Sequence, residues 1–222
     1  MTHAESISPL ASLPARSSGW SRWVRAARLT LARDGVAALA RRGWRRLWLR
    51  ERYLVYVRAL TDDDAAAPSP GPITIRRASA ADRARLAGCA DDLGAAQYWD
   101  VLDPTAECYL GWDGERIVAV HWVSTTHETN GLVALAAGDC VIGPCVTAPS
   151  YRGRGIYPMV LAAICRDRRR LGQRRAYMVV NVDNHASIRG IEKAGFQRTQ
   201  RMTLTRRLGR QRVAASGAGE LS

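Results

Sequence analysis

Apolar positions along the chain follow two different periods. Trp20, Trp23, Val24, Ala27 and Leu31 recur at helical spacing and stop near Gly35, and a second stripe runs through Val36, Leu39, Ala40, Trp44, Leu47 and Trp48. Arg41, Arg42, Arg45 and Arg46 fill the opposite face, so residues 20–61 read as a basic, Trp- and Arg-rich helical segment, preceded by a disordered stretch over residues 1–19. Asp62-Asp63-Asp64 and the prolines at 68, 70 and 72 can continue neither a helix nor a central strand. Residues 62–72 are therefore expected to be a linker, with a domain boundary near residue 70.

Beyond the linker the pattern shortens. Ile73 to Arg76 reads as a strand and Ser79 to Cys89 as a helix capped by Ser79. Cys108 to Trp112 and Arg116 to Ser124 read as strands around the two-residue hairpin signal Asp113-Gly114. Cys140 to Thr147 is a further strand interrupted by Gly143-Pro144; a proline cannot donate to a ladder, so the strand is expected to splay there. Tyr157 to Leu171 carries a buried stripe of Tyr157, Val160, Leu161 and Ile164 with Gly172 as its stop. Ala176 to Val182 is a continuous apolar run suited to a strand covered on both faces. Asn184 starts a short helix that ends at Gly195, Met202 to Arg206 reads as the last strand, and 209–222 as a disordered tail. Residues 73–208 thus read as an α/β (α+β) domain with one splayed strand, beside the amphipathic N-terminal helices.

With 222 residues and 47% apolar content, the chain suits one domain with an appendage. Its first 20 residues lack a basic start followed by an apolar stretch, and no run approaches the roughly 18 apolar residues of a membrane span, so a cytoplasmic protein is expected. Cys89, Cys108, Cys140, Cys145 and Cys165 are odd in number and show no spacing of the zinc type. They read as reduced, buried residues, and no metal is expected. The net charge of +13 would ordinarily suggest a nucleic-acid partner. Lys193, however, is the only lysine, and such an arginine skew reflects genome composition as readily as an anionic partner. No nucleic acid is expected.

The chemistry concentrates in Thr147-Ala148-Pro149-Ser150-Tyr151-Arg152-Gly153-Arg154-Gly155-Ile156-Tyr157, which joins a buried strand to a helix start. Backbone N–H groups at such a junction are unpaired and the helix dipole is positive. Gly153 and Gly155 let the backbone close around an anion, and Arg152 and Arg154 add charge. A Walker loop would need Lys and Ser or Thr where Ile156 and Tyr157 stand, and a dinucleotide fingerprint a third glycine at Pro158. The remaining alternative is a plain surface turn.

A buried strand, Asn184-His185-Ala186-Ser187 and Glu192-Lys193-Ala194-Gly195-Phe196 follow the loop. Together these stretches resemble the GNAT acetyltransferase superfamily, whose loop reads Q/R-x-x-G-x-G/A; Arg152 to Tyr157 match it at all but the last position, and the resemblance covers about residues 73 to 208. It implies acetyl-CoA as co-substrate, held by Arg152, Gly153, Arg154, Gly155, Ile156 and Tyr157 at its diphosphate and by the backbone of Cys145, Val146 and Thr147 along its pantetheine, with Asn184 near the sulfur. It also implies direct attack of an amine on the thioester carbonyl, with the oxyanion on a strand N–H near Val146. The acceptor is expected to be an amine-bearing small molecule or amino sugar.

Two departures stand out. Tyr157 replaces the small residue usual at the loop's end, and Ile191 occupies the position, four after Ser187, where many members carry the tyrosine that protonates the leaving thiolate. Asp139 and His121 are the expected bases, ahead of His127 and Glu128, and a water chain is equally admissible. Tyr98, Trp99, Trp112 and Trp122 are candidates for the acceptor pocket. Two further readings follow from the same residues: without its acid the domain could serve as an acyl-CoA-binding sensor, and the four tryptophans among arginines in residues 20–60 suit a peripheral membrane surface or a homodimer contact.

Overall fold

The computed structural model describes residues 48–63, 73–82, 85–86, 93, 106–126, 132–208 and 210–216, all within Arg46–Ser222, the second of two units into which the chain divides. The helical stripes expected before residue 48, and with them most of the expected membrane or dimer surface, lie outside the described residues, as do Cys89, Tyr98, Trp99, His127 and Glu128.

Eight strands form one sheet: β1 Trp48–Ala59, β2 Thr74–Arg77, β3 Glu107–Asp113, β4 Arg116–Ser124, β5 Asp139–Thr147, β6 Arg175–Asn181, β7 Gln197–Arg207 and β8 Arg210–Ser216. Helices α1 (Ile156–Arg170) and α2 (His185–Lys193) flank β6 in sequence. The sheet order is β2-β3-β4-β5-β6-β1-β7-β8, and every neighbouring pair is antiparallel except β5 with β6.

One core lies between the sheet and the helices, where Val160, Leu161, Ile164 and Cys165 of α1 are fully buried against Val118, Ile142, Met178 and Val180. Across the sheet, Leu86 and Leu93 pack on Cys108, Leu110, Trp112, Val120 and Trp122, and Leu132, Val133 and Leu135 pack on Val55, Val141, Met202 and Leu204. Covered on both faces, β4 is buried from Ile117 to Val123 and needs no alternation of polar residues. Asp82 accepts from the Ser79 N–H and hydroxyl, both at 2.7 Å, so Ser79 and Asp82 bond reciprocally at the expected helix start.

Two segments differ from the sequence reading. Residues 48–59, expected to continue a helix, are a strand in the interior of the sheet: β1 pairs with β6 from Tyr53↔Asn181 to Ala59↔Arg175 and with β7 from Trp48↔Arg207 to Val57↔Gln197. The run Tyr53-Leu54-Val55-Tyr56-Val57 has the β-branched and aromatic character of a strand buried on both sides, and this outweighs the arginines around it. The fold therefore begins ahead of the expected linker, and the family-like Glu192-Lys193-Ala194-Gly195-Phe196 stretch serves this strand: the Tyr56 hydroxyl donates to Glu192 at 2.8 Å, and Arg58 donates to the Ala194 carbonyl. The second difference is the tail, where Arg210–Ser216 forms edge strand β8 on β7. The chain reverses through Leu208 at φ 47°. Few apolar residues mark this segment, because an edge strand needs little burial.

Candidate active site

Strand β5 holds β6 only at its beginning. The parallel register runs from Asp139↔Arg175 to Val141↔Tyr177 and stops, while β5 stays on β4 as far as Thr147. The parting follows directly before Gly143, at φ 147°, and the cis-linked Pro144. Pro144 has no N–H for a ladder, and the β4–β5 register shifts in the same region, between His121 and Val123. The splay expected from Gly143-Pro144 is thus a feature of the sheet.

In the antiparallel β4–β5 ladder the Ala148 N–H donates to the Val118 carbonyl at 2.8 Å. Alternation then turns the backbone of Val146 toward its partner Val120 and the backbone groups of Cys145 and Thr147 toward the open side. The strand N–H expected near Val146 is therefore one residue to either side of it. Arg152 Nε donates to the Thr147 carbonyl at 3.2 Å, tying the loop to this edge.

The loop runs from a 3₁₀ turn, Pro149–Tyr151, into α1. Gly153 and Gly155 lie at φ 76° and 75°, a conformation that favours glycine, and a side chain built at either would meet no atom within 4 Å. Gly155 is the N-cap, no side chain caps α1, and its first turn holds no acid. The first N–H groups of a 15-residue helix thus carry its positive dipole end without a side-chain cap, next to the open space at Gly153 and Gly155. The Arg154 guanidinium lies 4.9 Å from the Tyr151 ring centre, and the Tyr151 hydroxyl donates to Asp113 at 2.7 Å. Donors, charge and room fit a diphosphate.

The opposite wall is α2. Asn184 caps it, Oδ1 accepting from the Ser187 N–H at 3.2 Å, and is exposed. Tyr157, the second residue of α1, turns its ring onto this helix: a methyl group added at Gly190 would lie 2.3 Å from Tyr157 Cδ1. The Tyr157 hydroxyl lies near the Cys145 thiol on β5 and the Ser187 hydroxyl on α2. Burial, then the charge a Cys145 thiolate would carry, drives the Tyr157 hydroxyl far above the ordinary tyrosine range. His121 faces Cys145 across the β4–β5 register and sits 5.4 Å from the Tyr157 ring centre. It is fully buried, neither ring nitrogen has a partner, and burial pushes its pKa down to about 3. Ile191 is 1% exposed and packed in the core, so its position does not reach the opening.

Asp139 stands at the closed end of β5, 2% exposed, its carboxylate accepting from Arg175 Nε and Nη2 at 2.9 Å each and from the Ala136 N–H at 3.0 Å. Burial pushes its carboxyl up, but Arg175 and the Ala136 N–H outweigh burial and hold it below the ordinary carboxylate range. Asp139 is thus six residues along the strand from Cys145, about 20 Å at ordinary strand rise, and the structure does not bring it together with His121. Trp112 and Trp122 are core residues packed with Leu86 and Leu93. Sequence reasoning missed the Tyr157–Gly190 pairing. Its signals were a bulky residue where the loop usually ends in a small one and a glycine inside a helix.

The Acetyltransferase (GNAT) family model matches residues 75–196. A mycothiol acetyltransferase of Geodermatophilus obscurus is 31% identical over 110 residues, which are 49% of this chain and 34% of that protein. The chain thus spans about a third of the length of this relative. Among solved structures, a putative acetyltransferase from the GNAT family of Novosphingobium aromaticivorans superposes with a TM-score of 0.51 at 18% identity, over 77% of this chain and 67% of that one. A GCN5-related N-acetyltransferase of Sphaerobacter thermophilus does so with a TM-score of 0.51 at 18% identity, over 83% and 59%. Both share its fold.

Proposed function

The chain belongs to the Acetyltransferase (GNAT) family, and from that premise we propose that it is an N-acyltransferase carrying an acetyl group from acetyl-CoA to the amine of a small molecule or amino sugar. The observation that carries this reading is the parting of β5 from β6 after Val141 and Tyr177, with the opening leading to the uncapped N-terminus of α1. Likeness to a mycothiol acetyltransferase supports a small-molecule acceptor.

Gly153, Gly155 and the N–H groups of Ile156 and Tyr157 would hold the diphosphate, with Arg152 and Arg154 adding charge. The open edges of Cys145 and Thr147 would pair with the amides of the pantetheine arm, Val146 anchoring the strand to β4, and Asn184 would contact the arm from α2. The thioester supplies an acyl carbon activated toward nitrogen. One open-edge N–H of β5 then faces the oxygen on which charge develops. We assign the amine's proton to water at the mouth of the opening, because Asp139 is bonded to Arg175 at the closed end and burial leaves His121 a weak base.

Acetyl-CoA should raise the melting temperature, by an amount equivalent to about 2.7 kcal/mol at a hundredfold excess over Kd. A panel of amines and amino sugars should then contain at least one that releases free thiol. Absence of any thermal shift overturns the cofactor assignment, and binding without thiol release from any amine overturns the transferase reading.

A further inference from the structure

We propose that Tyr157 is the proton donor to the departing thiolate, the role that Ile191 cannot fill. This rests on the transferase reading above. Three separate observations carry it.

The first is where the ring lies. Gly190 leaves the space that the Tyr157 ring fills, and this glycine does not owe its presence to backbone geometry, since it sits at ordinary helical φ in α2. The second is what the hydroxyl meets. Tyr53, Tyr56, Tyr109 and Tyr151 each donate to a carboxylate. The Tyr157 hydroxyl instead reaches a thiol on β5 and a hydroxyl on α2, the two walls of the opening. The third is what lies behind the ring: His121, wholly buried and with both nitrogens unpartnered, leaves a polar group at the inner end of the opening with no protein atom to satisfy it.

The half-buried Cys145 thiol is the thiol that the Tyr157 hydroxyl faces. Burial pushes its pKa up to about 12, against an ordinary value of about 8.5. A thiolate released beside it, away from bulk water, departs more readily when a proton donor stands next to it. Tyr157 stays protonated and stands between β5 and α2, where the sulfur would leave; burial makes it a weaker acid than a free tyrosine, and the Ser187 hydroxyl offsets part of that by favouring the phenolate. As the amine nitrogen bonds to the acyl carbon and the carbon–sulfur bond breaks, the electron pair leaves on sulfur and the phenolic proton passes to it. The phenolate, meanwhile stabilised by the Ser187 hydroxyl, recovers a proton from solvent, matching the one the amine releases. Atoms and charge balance without another reagent.

Tyr157→Phe keeps the ring against Gly190 and removes only the hydroxyl. With the amine found by the panel, kcat should fall about 10²-fold or more while KM for acetyl-CoA stays within a few-fold. A second readout needs no turnover: wild type should bind coenzyme A more tightly than its desulfo analogue, and Tyr157→Phe should bind the two alike. Equal kcat in both proteins, or an unchanged preference for the thiol, overturns the assignment to Tyr157 and leaves the transferase reading standing. Failure of wild type to bind either compound overturns the reading and this assignment with it.

Discussion

The two ends of β5 are built on opposite principles. At the first, β6 is in register, Asp139 is ion-paired with Arg175, and the carboxylate accepts a backbone N–H as well. At the second, β6 has left, the open edge of β5 pairs with no strand, both His121 nitrogens are orphaned, and no side chain caps the following helix. Buried polar groups left unsatisfied destabilise a fold by about 1–3 kcal/mol each, so a sheet tolerates such an end only if something else holds it. Asp139 is fully partnered at the structural end of the strand, whereas the end where a ligand would complete the structure keeps an unpaired edge and an unpartnered His121.

What holds β6 on its far side is β1, paired from Tyr53↔Asn181 to Ala59↔Arg175. The largest effect therefore comes from removing it: a chain beginning at residue 70 should lack the cooperative thermal transition of the full chain, because β6 would keep only its short register with β5 and β7 would lose its inner neighbour. A soluble, cooperatively melting fragment would show that the opening needs no support from β1.

Next in size is a change within the open end. Gly155→Asp places a negative charge, and a side chain at φ 75°, where the diphosphate would lie. Coenzyme A affinity should fall at least about tenfold, equivalent to 1.4 kcal/mol, with the melting temperature of the unliganded protein lowered far less than by the truncation. Calorimetric titration of the folded variant tests it, and undiminished affinity would remove the loop from the site. Smaller again is Gly190→Ala: its methyl group meets the Tyr157 ring, so overpacking should cost about 1–3 kcal/mol. In a Tyr157→Ala background the same Gly190→Ala change should cost almost nothing further in a denaturant titration. Additive losses would mean that the ring has no fixed place against α2.

The contrast also explains what was legible in the sequence. The open end was readable because its requirements are local: Gly143-Pro144 breaks a ladder, Gly153 and Gly155 permit positive φ, and Asn184 caps a helix, each within a few residues of its effect. Strands β3 to β7 were readable from period and burial for the same reason. Strand β1 was not, because it joins β6 and β7 across more than a hundred residues, and its arginines matched the stripe before it, although Tyr53 to Val57 carried a strand signal. What surrounds Tyr157 was equally illegible, since Cys145, Ser187 and His121 come from three different elements. Asp139 misled for the converse reason: an acid at a strand terminus looks the same in sequence whether it faces a substrate or an arginine.

The smallest effect is expected at the closed end itself. Because the folded-state carboxyl of Asp139 is held below its ordinary value, its contribution to stability is fully present above the unfolded pKa of about 3.9 and is lost as pH falls through the folded one. Asp139→Asn keeps an oxygen for the Ala136 N–H but gives up the charge facing Arg175, whose side chain is 47% exposed and can turn to solvent. The variant should therefore melt only a few degrees below wild type at pH 7, and the difference should close as both are taken below about pH 4. Turnover at pH 7 should be unchanged, since the carboxylate is about 20 Å along the strand from Cys145. A pH series of thermal melts beside a kcat measurement separates the two roles. If kcat collapsed while the melting temperature held, Asp139 would belong to the proton path, and the division of β5 into a structural end and a reactive end would fail.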